Sequence, residues 1–425
     1  MMREANVAKI AVIDSGHYLD FALVLAGKGH DVYYSVDWFR AFPRLEDYAT
    51  GMGYEKAYPS FHKVIDPGVA LSNAEYVVFT DVGLGYLASF LKGRGVRVWG
   101  ASIPSQLLET DRFLMDLLMR RKGVGRPETR YAKGFNELKA VASEMLSKYS
   151  AVAVKMNVFR GNMETQLVKD VKDLDVVFSQ TNLEPIQDRL SFIIEGEAEG
   201  VEWGVDTYFD GEGFVRPYAI SPEAGGERTC FVRLVEKSFV DDFILSKIEP
   251  WLRDAGFKGF LSIEFFVTRD KVQVTDYTVR LPYPGAGLLA RLYENVDELI
   301  MSSLDGHPVK PKYSMTYAVE SDTYPESTGR WQPFTVPSKH WDFFGKRWSV
   351  YAGIEGEEHK LLYVPGGTSY GSGIGLSDGS IKDAYDKALE IASSINAPEK
   401  KYTARAWELF EEKRRKIEEW HGKIY

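Results

Sequence analysis

The chain has 425 residues, 44% of them hydrophobic and 27% charged, so it can form several domains with ample apolar core. Its net charge of −9 argues against general nucleic-acid binding, and its single cysteine, Cys230, excludes an internal disulfide. The sequence has no apolar stretch of about 20 residues and no signal-peptide pattern, so we expect a cytoplasmic protein that does not enter membranes.

Residues 1 to about 100 alternate short apolar strands with helices. Strands are predicted at 9–14, 31–36, 76–81 and 97–100. A helix from Leu19 to Ala26 lies between the first two strands, and this βαβ pattern predicts a doubly wound α/β domain. The loop after the first strand, "DSGHY", lacks the G-x-G-x-x-G spacing, so no dinucleotide site is predicted.

The rest of the chain mixes helices with antiparallel hairpins. Helices are predicted at 105–122, 136–148, 290–304, 380–395 and 404–423. Strands are predicted at 151–159 and 191–200, and hairpins at 202–220 and 259–280. The Gly-rich segment 367–375 lacks the Lys-Ser/Thr of a phosphate loop and is predicted to be a strand and turn. The basic run Lys413–Lys416 is interleaved with acids and is predicted to be a solvated helix face.

Two groups of charged residues could carry chemistry near the middle of the chain. Lys155 interrupts an apolar strand, where it either points a cation at a phosphate or reaches solvent from the strand end. Four acids follow the apolar run "SFII": Glu195, Glu197, Glu199 and Glu202. One or two of them could hold ribose hydroxyls or pair with Lys155; the alternative is a charged, exposed turn.

A second pair of acids lies on the predicted hairpin 259–280. If its loop is the three residues 269–271, residue 268 faces 272, 266 faces 274, and Glu264 faces Asp276. Facing carboxylates have Cβ atoms about 4.5–5.5 Å apart and repel each other unless a cation lies between them. Mg²⁺ prefers such oxygen ligands. Thr278 and Arg280 continue along the same face, which could otherwise be a solvent-facing polar stripe.

Several segments together resemble ATP-grasp ligases, and most closely phosphoribosylamine–glycine ligase. "VWGAS…LLETDRF" is similar to that family's Trp-Gly-Pro-Ser and Leu-Glu-x-Ser-Lys segments, and "VAVK" matches its Val-Val-x-Lys strand. "FIIEGEAEGVE" resembles its hinge between two domains. "GFKGFLSIEFFVTRD" followed by "VTDYTVR" resembles its paired metal strands, and the likeness extends over nearly the whole chain.

This resemblance implies an ATP- and Mg²⁺-binding site. The residues implied to bind ATP are Arg112, Lys155, Glu195, Gly196, Ala198, Glu199 and Glu202. Among them, Lys155 and Arg112 are implied to grip phosphates, Gly196 and Ala198 to offer backbone contacts, and Glu199 to hold the ribose. The implied Mg²⁺ ligands are Glu264, Asp276 and, more weakly, Thr278. Arg280 is implied to neutralise the transferring phosphoryl group, with Lys155 as its catalytic partner.

The resemblance also implies an ATP-grasp fold of mixed α/β and α+β class. The predicted units are an N-terminal α/β domain, a linker helix with a lid, a central ATP-grasp domain and a small C-terminal domain, at 1–104, 105–195, 196–312 and 313–425. The implied activity is carboxylate–amine ligation with small-molecule substrates, by a monomer or homodimer. The alternatives are a nucleotide-binding relative without catalysis, and a different α/β protein with a chance likeness.

The sequence departs from the family in loops that would face the other substrates. The family's Gly-Gly-Arg-Glu-His-Ala loop is "GHYLDFA" here, and its Gly-Asp-Pro-Glu is "LPYPG". The glycine-rich lid is reduced to "FRGNMET", with only Gly161, and Thr278 replaces a metal-binding asparagine. We therefore expect substrates other than phosphoribosylamine and glycine.

Overall fold

The N-terminal sheet consists of five parallel strands. The structure, a computed structural model, describes residues 7–36, 48–157, 165–179, 184–224, 226 and 228–425. The strands are β1 Lys9–Asp14, β2 Asp31–Val36, β3 Phe61–Lys63, β4 Tyr76–Phe79 and β5 Arg97–Trp99. Their order is β3-β2-β1-β4-β5, and the helices are α1 Leu19–Gly27, α2 Pro67–Asn73 and α3 Gly85–Gly93. The predicted doubly wound domain is therefore confirmed. Strand β1 is apolar because it is buried at the centre of the sheet.

A four-stranded sheet follows, preceded by two helices. The helices are α4 Leu107–Thr110, α5 Arg112–Arg121, α6 Phe135–Leu146 and α7 Val171–Ser179. The strands are β6 Thr129–Lys133, β7 Val152–Met156, β8 Thr165–Val168 and β9 Ser191–Gly196. They pair antiparallel in the order β6-β9-β7-β8. The predicted lid segment around Gly161 lies outside the described residues.

The large sheet has ten strands. The first seven are β10 Val201–Phe209, β11 Tyr218–Ile220, β12 Glu223–Ala224, β13 Thr229–Val235, β14 Gly259–Val267, β15 Val272–Thr278 and β16 Tyr317–Pro325. The remaining strands of the chain are β17 Gln332–Pro337, β18 Phe344–Lys346, β19 Ser349–Glu355, β20 Glu358–Tyr363, β21 Gly371–Ser377 and β22 Lys400–Tyr402. The main path runs β15-β14-β10-β11-β13-β16-β21-β18, while β17, β20 and β19 form a separate small sheet. One sheet therefore continues across residue 312, because β16 pairs with β13.

Helices cover both faces of the large sheet. They are α8 Ser246–Asp254, α9 Ala286–Leu292, α10 Val296–Leu304, α11 Ile381–Ser394 and α12 Ala406–His421. The Gly-rich segment ends in β21, as predicted, and its glycines allow α11 to lie close to the strand. A Cβ atom on Gly375 would lie 1.9 Å from the carbonyl oxygen of Ala384. The helix predicted at 290–304 is instead two helices, which are separated at 293–295.

The described residues include no helix that is both long and apolar enough to span a membrane.

Candidate functional site

Lys155 and Glu195 form a buried ion pair at the centre of the four-stranded sheet. Strands β7 and β9 place Ala153 opposite Glu195, so Lys155 is its diagonal neighbour on the same face. The Lys155 Nζ atom lies 3.1 Å from Glu195 Oε2 and donates a hydrogen bond of 2.8 Å to the carbonyl of Thr275. Lys155 is only 4% exposed. The interpretation that Glu195 pairs with Lys155 is thus confirmed, and that of a solvent-reaching lysine is wrong.

Arg126 and Asp116 extend this pair into what we call the hinge cluster: Asp116, Arg126, Lys155 and Glu195. The Arg126 guanidinium donates to Glu195 Oε1 and, over 3.1 Å, to Asp116 Oδ1. Burial alone would raise the pKa of Asp116, but hydrogen bonds from Arg120 and Tyr131 and the charge of Arg126 hold that pKa below its ordinary value. The two buried cations of the cluster are therefore matched by two carboxylates.

Arg112 connects the four-stranded sheet to β15 of the large sheet. It is the first residue of α5, whose amino end is capped by Asp111. Its Nη1 donates 2.8 Å to the Met156 carbonyl, and its Nη2 lies 3.7 Å from Asp276 Oδ2. Together with the contact between Lys155 and Thr275, this brings three predicted site residues, Arg112, Lys155 and Asp276, into one region.

Strands β14 and β15 bring Glu264 and Asp276 face to face, as predicted. Near the turn the pairs are Val267–Val272, Phe266–Gln273 and Phe265–Val274. The loop is therefore the four residues 268–271, so the predicted three-residue loop and its pairs 268–272 and 266–274 are wrong. A β-bulge between Glu264 and Phe265, which leaves Thr275 unpaired on the opposite strand, restores the register beyond it.

The same face carries further oxygen-bearing side chains. Ser262 lies opposite Thr278, one row along from Glu264 and Asp276, and we call these four residues the acidic face. Gly204 lies opposite Glu264 on the other neighbouring strand, so no side chain projects from that position. The side chain of Asp276 is 26% exposed, so the face is open to a ligand. Two carboxylates and hydroxyl oxygens are the donor chemistry that suits Mg²⁺, which usually shares its coordination with phosphate.

Arg280 follows β15 and is held by residues from the N-terminal half. Its Nε lies 2.9 Å from Glu109 Oε1 and 3.1 Å from Asp81 Oδ1, and its Nη1 donates to Tyr18 Oη. Burial opposes its charge, but the carboxylates of Glu109 and Asp81 raise the pKa of the guanidinium well above its ordinary value. Arg280 is thus a permanently charged group fixed at the junction between the N-terminal sheet and β15.

The segment that the resemblance implies to be a hinge begins at the end of β9. The Gly196 N–H donates 2.9 Å to the Glu128 carbonyl, and a Cβ atom on Gly196 would lie 2.6 Å from the ring of Tyr149. Only glycine therefore fits at this position without displacing that ring. Ala198 is half-buried two residues later.

Glu199 and Glu202 lie at the surface and form ion pairs. Glu199 is 2.9 Å from Lys271, in the turn between β14 and β15, and Glu202 is 3.0 Å from Lys413 on α12. Both carboxylates are more than half exposed. Their predicted nucleotide contacts stay predictions.

The two loops that depart most from the ATP-grasp ligases contact each other. The His17 ring, in "GHYLDFA", meets the Tyr283 ring of "LPYPG" edge-on, with centroids 5.2 Å apart. His17 also meets Trp348 at 4.9 Å. Tyr283 Oη donates 3.0 Å to Asp322, so C-terminal residues fix this loop. The altered loops therefore form one surface beside Arg280.

Sequence reasoning missed Arg126, although it completes the hinge cluster. The residue stands in the loop "GVGRPE", where no periodic pattern marks it. Its partners Asp116 and Glu195 lie 10 and 69 residues away along the chain, so only the tertiary structure brings the three together.

No protein-family model matches the chain. The large chain of carbamoyl phosphate synthase from Thermus thermophilus is 24% identical over 248 residues, which are 54% of this chain and 24% of that protein. The present chain thus spans about a quarter of the length of the curated relatives it matches.

Solved structures match over a much larger share of the chain. Phosphoribosylamine–glycine ligase from Thermotoga maritima superimposes with a TM-score of 0.68 at 15% identity, covering 92% of this chain and 98% of that one. The biotin carboxylase–β,γ-ATP complex from Campylobacter jejuni gives a TM-score of 0.65 at 12% identity, covering 93% of each chain. The resemblance seen in the sequence is thereby confirmed at the level of the fold: this chain has the ATP-grasp fold.

Proposed function

We propose that the protein is an ATP- and Mg²⁺-dependent carboxylate–amine ligase. The observation that carries the proposal is the contact of two buried cations with strand β15: Lys155 donates to Thr275, and Arg112 lies beside Asp276. In an ATP-grasp fold, this contact joins candidate phosphate-binding cations to candidate metal-binding carboxylates. The names of two proteins with similar folds support the proposal. One is a phosphoribosylamine–glycine ligase, and the other is a biotin carboxylase in complex with β,γ-ATP.

ATP would lie between the four-stranded sheet and the large sheet. Lys155 and Arg112 would hold phosphate oxygens, while Gly196 and Ala198 would offer backbone groups to the base. Glu199 and Glu202 would exchange their surface lysines for ribose hydroxyls, which is inexpensive because exposed ion pairs contribute only about 0–1 kcal/mol. The division into residues 1–104, 105–195, 196–312 and 313–425 remains a proposal, and the large sheet joins its last two units because β13 pairs with β16.

The acidic face fits Mg²⁺. Glu264 and Asp276 would supply carboxylate oxygens, Thr278 a weaker hydroxyl ligand, and the nucleotide the remaining phosphate oxygens. When bound, Mg²⁺ would neutralise charge on the phosphates during transfer. The same two carboxylates repel each other across the strands when no cation separates them.

The proposed reaction has two steps. A carboxylate oxygen of the first substrate attacks the γ-phosphorus of ATP, an O–P bond forms, and ADP leaves with the electrons of the broken bond. The amine nitrogen of the second substrate then attacks the carbonyl carbon of the acyl phosphate. A C–N bond forms, phosphate leaves, and the nitrogen releases a proton. Arg280 would stabilise charge on the transferring group, since such chemistry depends mostly on positioning and electrostatics.

A second candidate function is nucleotide binding without catalysis. The observation that favours it is the state of Arg280, which is already held by Glu109, Asp81 and Tyr18. Thr278 is also a weaker metal ligand than the amide it replaces. Both candidates require ATP binding, and only the first requires ADP release that depends on added substrates.

The deciding experiment measures ADP release with Mg²⁺ and ATP over a panel of carboxylic acids crossed with amines, including amino acids, phosphorylated sugars and nucleotides. The ligase proposal expects release that requires one acid and one amine together. ATP binding without such release would favour the non-catalytic candidate, and absence of ATP binding by calorimetry would overturn both. Efficient formation of glycinamide ribonucleotide would overturn our expectation of different substrates.

A further inference from the structure

Asp206 is a buried carboxyl group for which the proposed reaction has so far given no role. It lies in β10 and is 3% exposed. Its Oδ1 atom has no hydrogen-bond partner among the residues that the structure describes. A buried polar atom in this state is costly, so its retention needs a reason.

The position of Asp206 connects it to the candidate site. Strand pairing places Asp206 opposite Ser262, and Ser262 opposite Thr278, so Asp206 extends one row of the acidic face by one strand. The loop 282–285 covers it, because a Cβ atom on Gly285 would lie 3.9 Å from Asp206 Oδ2. This loop belongs to "LPYPG", the segment whose Tyr283 contacts His17.

The charge around Asp206 favours a cationic or hydrogen-donating ligand. Burial raises the pKa of this carboxyl to about 6, and the nearby hydroxyls of Ser262 and Ser221 oppose the rise only partly. At neutral pH the group is therefore mostly ionised, and no lysine or arginine contributes to its stabilisation within the described part of the chain. Anionic substrate groups have Arg112 and Arg280 as partners, so Asp206 suits the amine.

Asp241, another buried carboxylate in the same part of the chain, is a comparison for Asp206 because its oxygens are hydrogen-bonded within the protein. It is 6% exposed, accepts 2.6 Å from Tyr218 Oη and 2.8 Å from the Ser238 N–H, and pairs with Arg216. Burial would raise its pKa, but the hydrogen bonds from Tyr218 and Arg216 hold the pKa below its ordinary value. Asp206 has no comparable set of donors.

We propose that Asp206 binds the amino group of the second substrate and holds it beside the acyl phosphate formed at the acidic face. The assignment rests on the proposed ligase function. Asp206 Oδ1 would accept a hydrogen bond from the amine nitrogen, and the loop 282–285 would close over the bound group. Amine binding would thereby satisfy the atom that the described residues leave without a donor.

The test compares Asp206→Asn with wild-type protein in two assays on the acid that gives ADP release in the panel. One assay follows amide formation with the most active amine of the panel. The other replaces that amine with a high concentration of hydroxylamine, which captures acyl phosphates as hydroxamates without a binding site. The variant should raise KM for the amine at least about tenfold, as expected for loss of a hydrogen bond to a charged group. Hydroxamate formation and KM for ATP should stay within about twofold of the wild-type values. The variant loses a contact that binds only the amine, and it binds the amine equally in the ground state and the transition state.

Melting temperature separates a binding role from a structural one without any substrate. Asp206→Asn should melt at a higher temperature than wild type, because an unpartnered buried charge is removed. The matched control, Asp241→Asn, should melt at a lower temperature, because it weakens a satisfied network. If Asp206→Asn does not fold, Asp206→Ser removes the same charge in a smaller side chain and gives the same readouts.

Each contrary outcome has a distinct meaning. If wild-type protein releases no ADP and forms no hydroxamate with any acid, the ligase function fails and the amine assignment fails with it. If wild type is active but the amine KM of the neutral variants is unchanged, only the role of Asp206 is overturned. An equal loss of hydroxamate and amide, or a fall in melting temperature like that of Asp241→Asn, would show a structural carboxylate and also overturn it.

Discussion

The hinge cluster and the acidic face lie next to each other but differ in how their charges are balanced. In the hinge cluster, Glu195 contacts both Lys155 and Arg126, and Arg126 also contacts Asp116. On the acidic face, Glu264 and Asp276 oppose each other across two strands. The charges of the first arrangement balance each other within the protein, whereas the second would gain most from binding of the proposed Mg²⁺. The contrast separates residues that would build the proposed site from residues that are proposed to bind the ligand.

The largest expected effect is on the acidic face. Asp276→Asn should lower ligase activity at least about 100-fold, equivalent to about 2.7 kcal/mol of transition-state stabilisation. The metal-free free energy of unfolding should change by less than about 1 kcal/mol, since relief of repulsion offsets the weak contact with Arg112. Steady-state rates and urea unfolding measure both. Asp270→Asn, in the exposed turn of the same hairpin, is the matched control and should change neither.

Ligand binding should stabilise the protein by a similar amount. ATP with Mg²⁺ at a free concentration 100 times Kd should raise the free energy of unfolding by about 2.7 kcal/mol, because only the native state binds it. Thermal unfolding with ATP plus EDTA is the comparison, and Asp276→Asn should lose most of the Mg²⁺-dependent part. Equal stabilisation with and without Mg²⁺ in wild type would mean that the acidic face does not receive a cation.

A smaller, mixed effect is expected in the hinge cluster. Lys155→Met should weaken ATP binding about tenfold and lower the free energy of unfolding by about 1.5–3 kcal/mol, because the lysine makes charged hydrogen bonds with Glu195 and Thr275. Calorimetry and chemical denaturation test the two parts. Lys133→Met, on an exposed position of the same sheet, should leave both quantities unchanged. Normal ATP affinity with lost stability would make the cluster purely structural.

The smallest expected effect concerns pH. The pKa of Asp206 is raised from 3.8 to about 6 in the folded protein, so the native state holds this proton more tightly than the unfolded state. The ionised carboxyl therefore destabilises the fold at pH 7, and this penalty fades as pH falls through 6. The stability advantage of Asp206→Asn over wild type should shrink by about 1 kcal/mol between pH 7 and pH 5. Denaturant titrations at both pH values measure it; a constant difference would contradict the shift.

Much of the fold was visible in local patterns. Strands 9–14 and 31–36 and helix 380–395 agree with the structure within one residue at each end, because apolar periodicity reports burial directly. The facing of Glu264 and Asp276 was predicted correctly but for a partly wrong reason. The prediction counted residues outward from the loop and assumed regular strand pairing. Such counting cannot detect a β-bulge, and here the bulge restores the register that a four-residue loop would otherwise shift by one residue.

Asp206 and Arg126 show two different limits of sequence reasoning. Asp206 interrupts the apolar strand "VDTYF" much as Lys155 interrupts its own strand, so the same signal was present but not used. For Arg126 no pattern in the neighbouring sequence marked the residue, since its role depends on carboxylates in α5 and β9. A charged residue that interrupts an apolar strand can be recognised in the sequence. A network of ion pairs between separate segments can be recognised only in the folded structure.

The continuity of the large sheet across residue 312 has a consequence for dissecting this protein. Strand β16 comes from the last quarter of the chain, yet it covers the edge of β13, and β21 in turn covers β16. A fragment ending at residue 312 would expose the unpaired backbone of β13, which invites pairing with other molecules and aggregation. The central and C-terminal segments therefore have to be produced together, and proteolysis between them is expected to leave two pieces that stay associated.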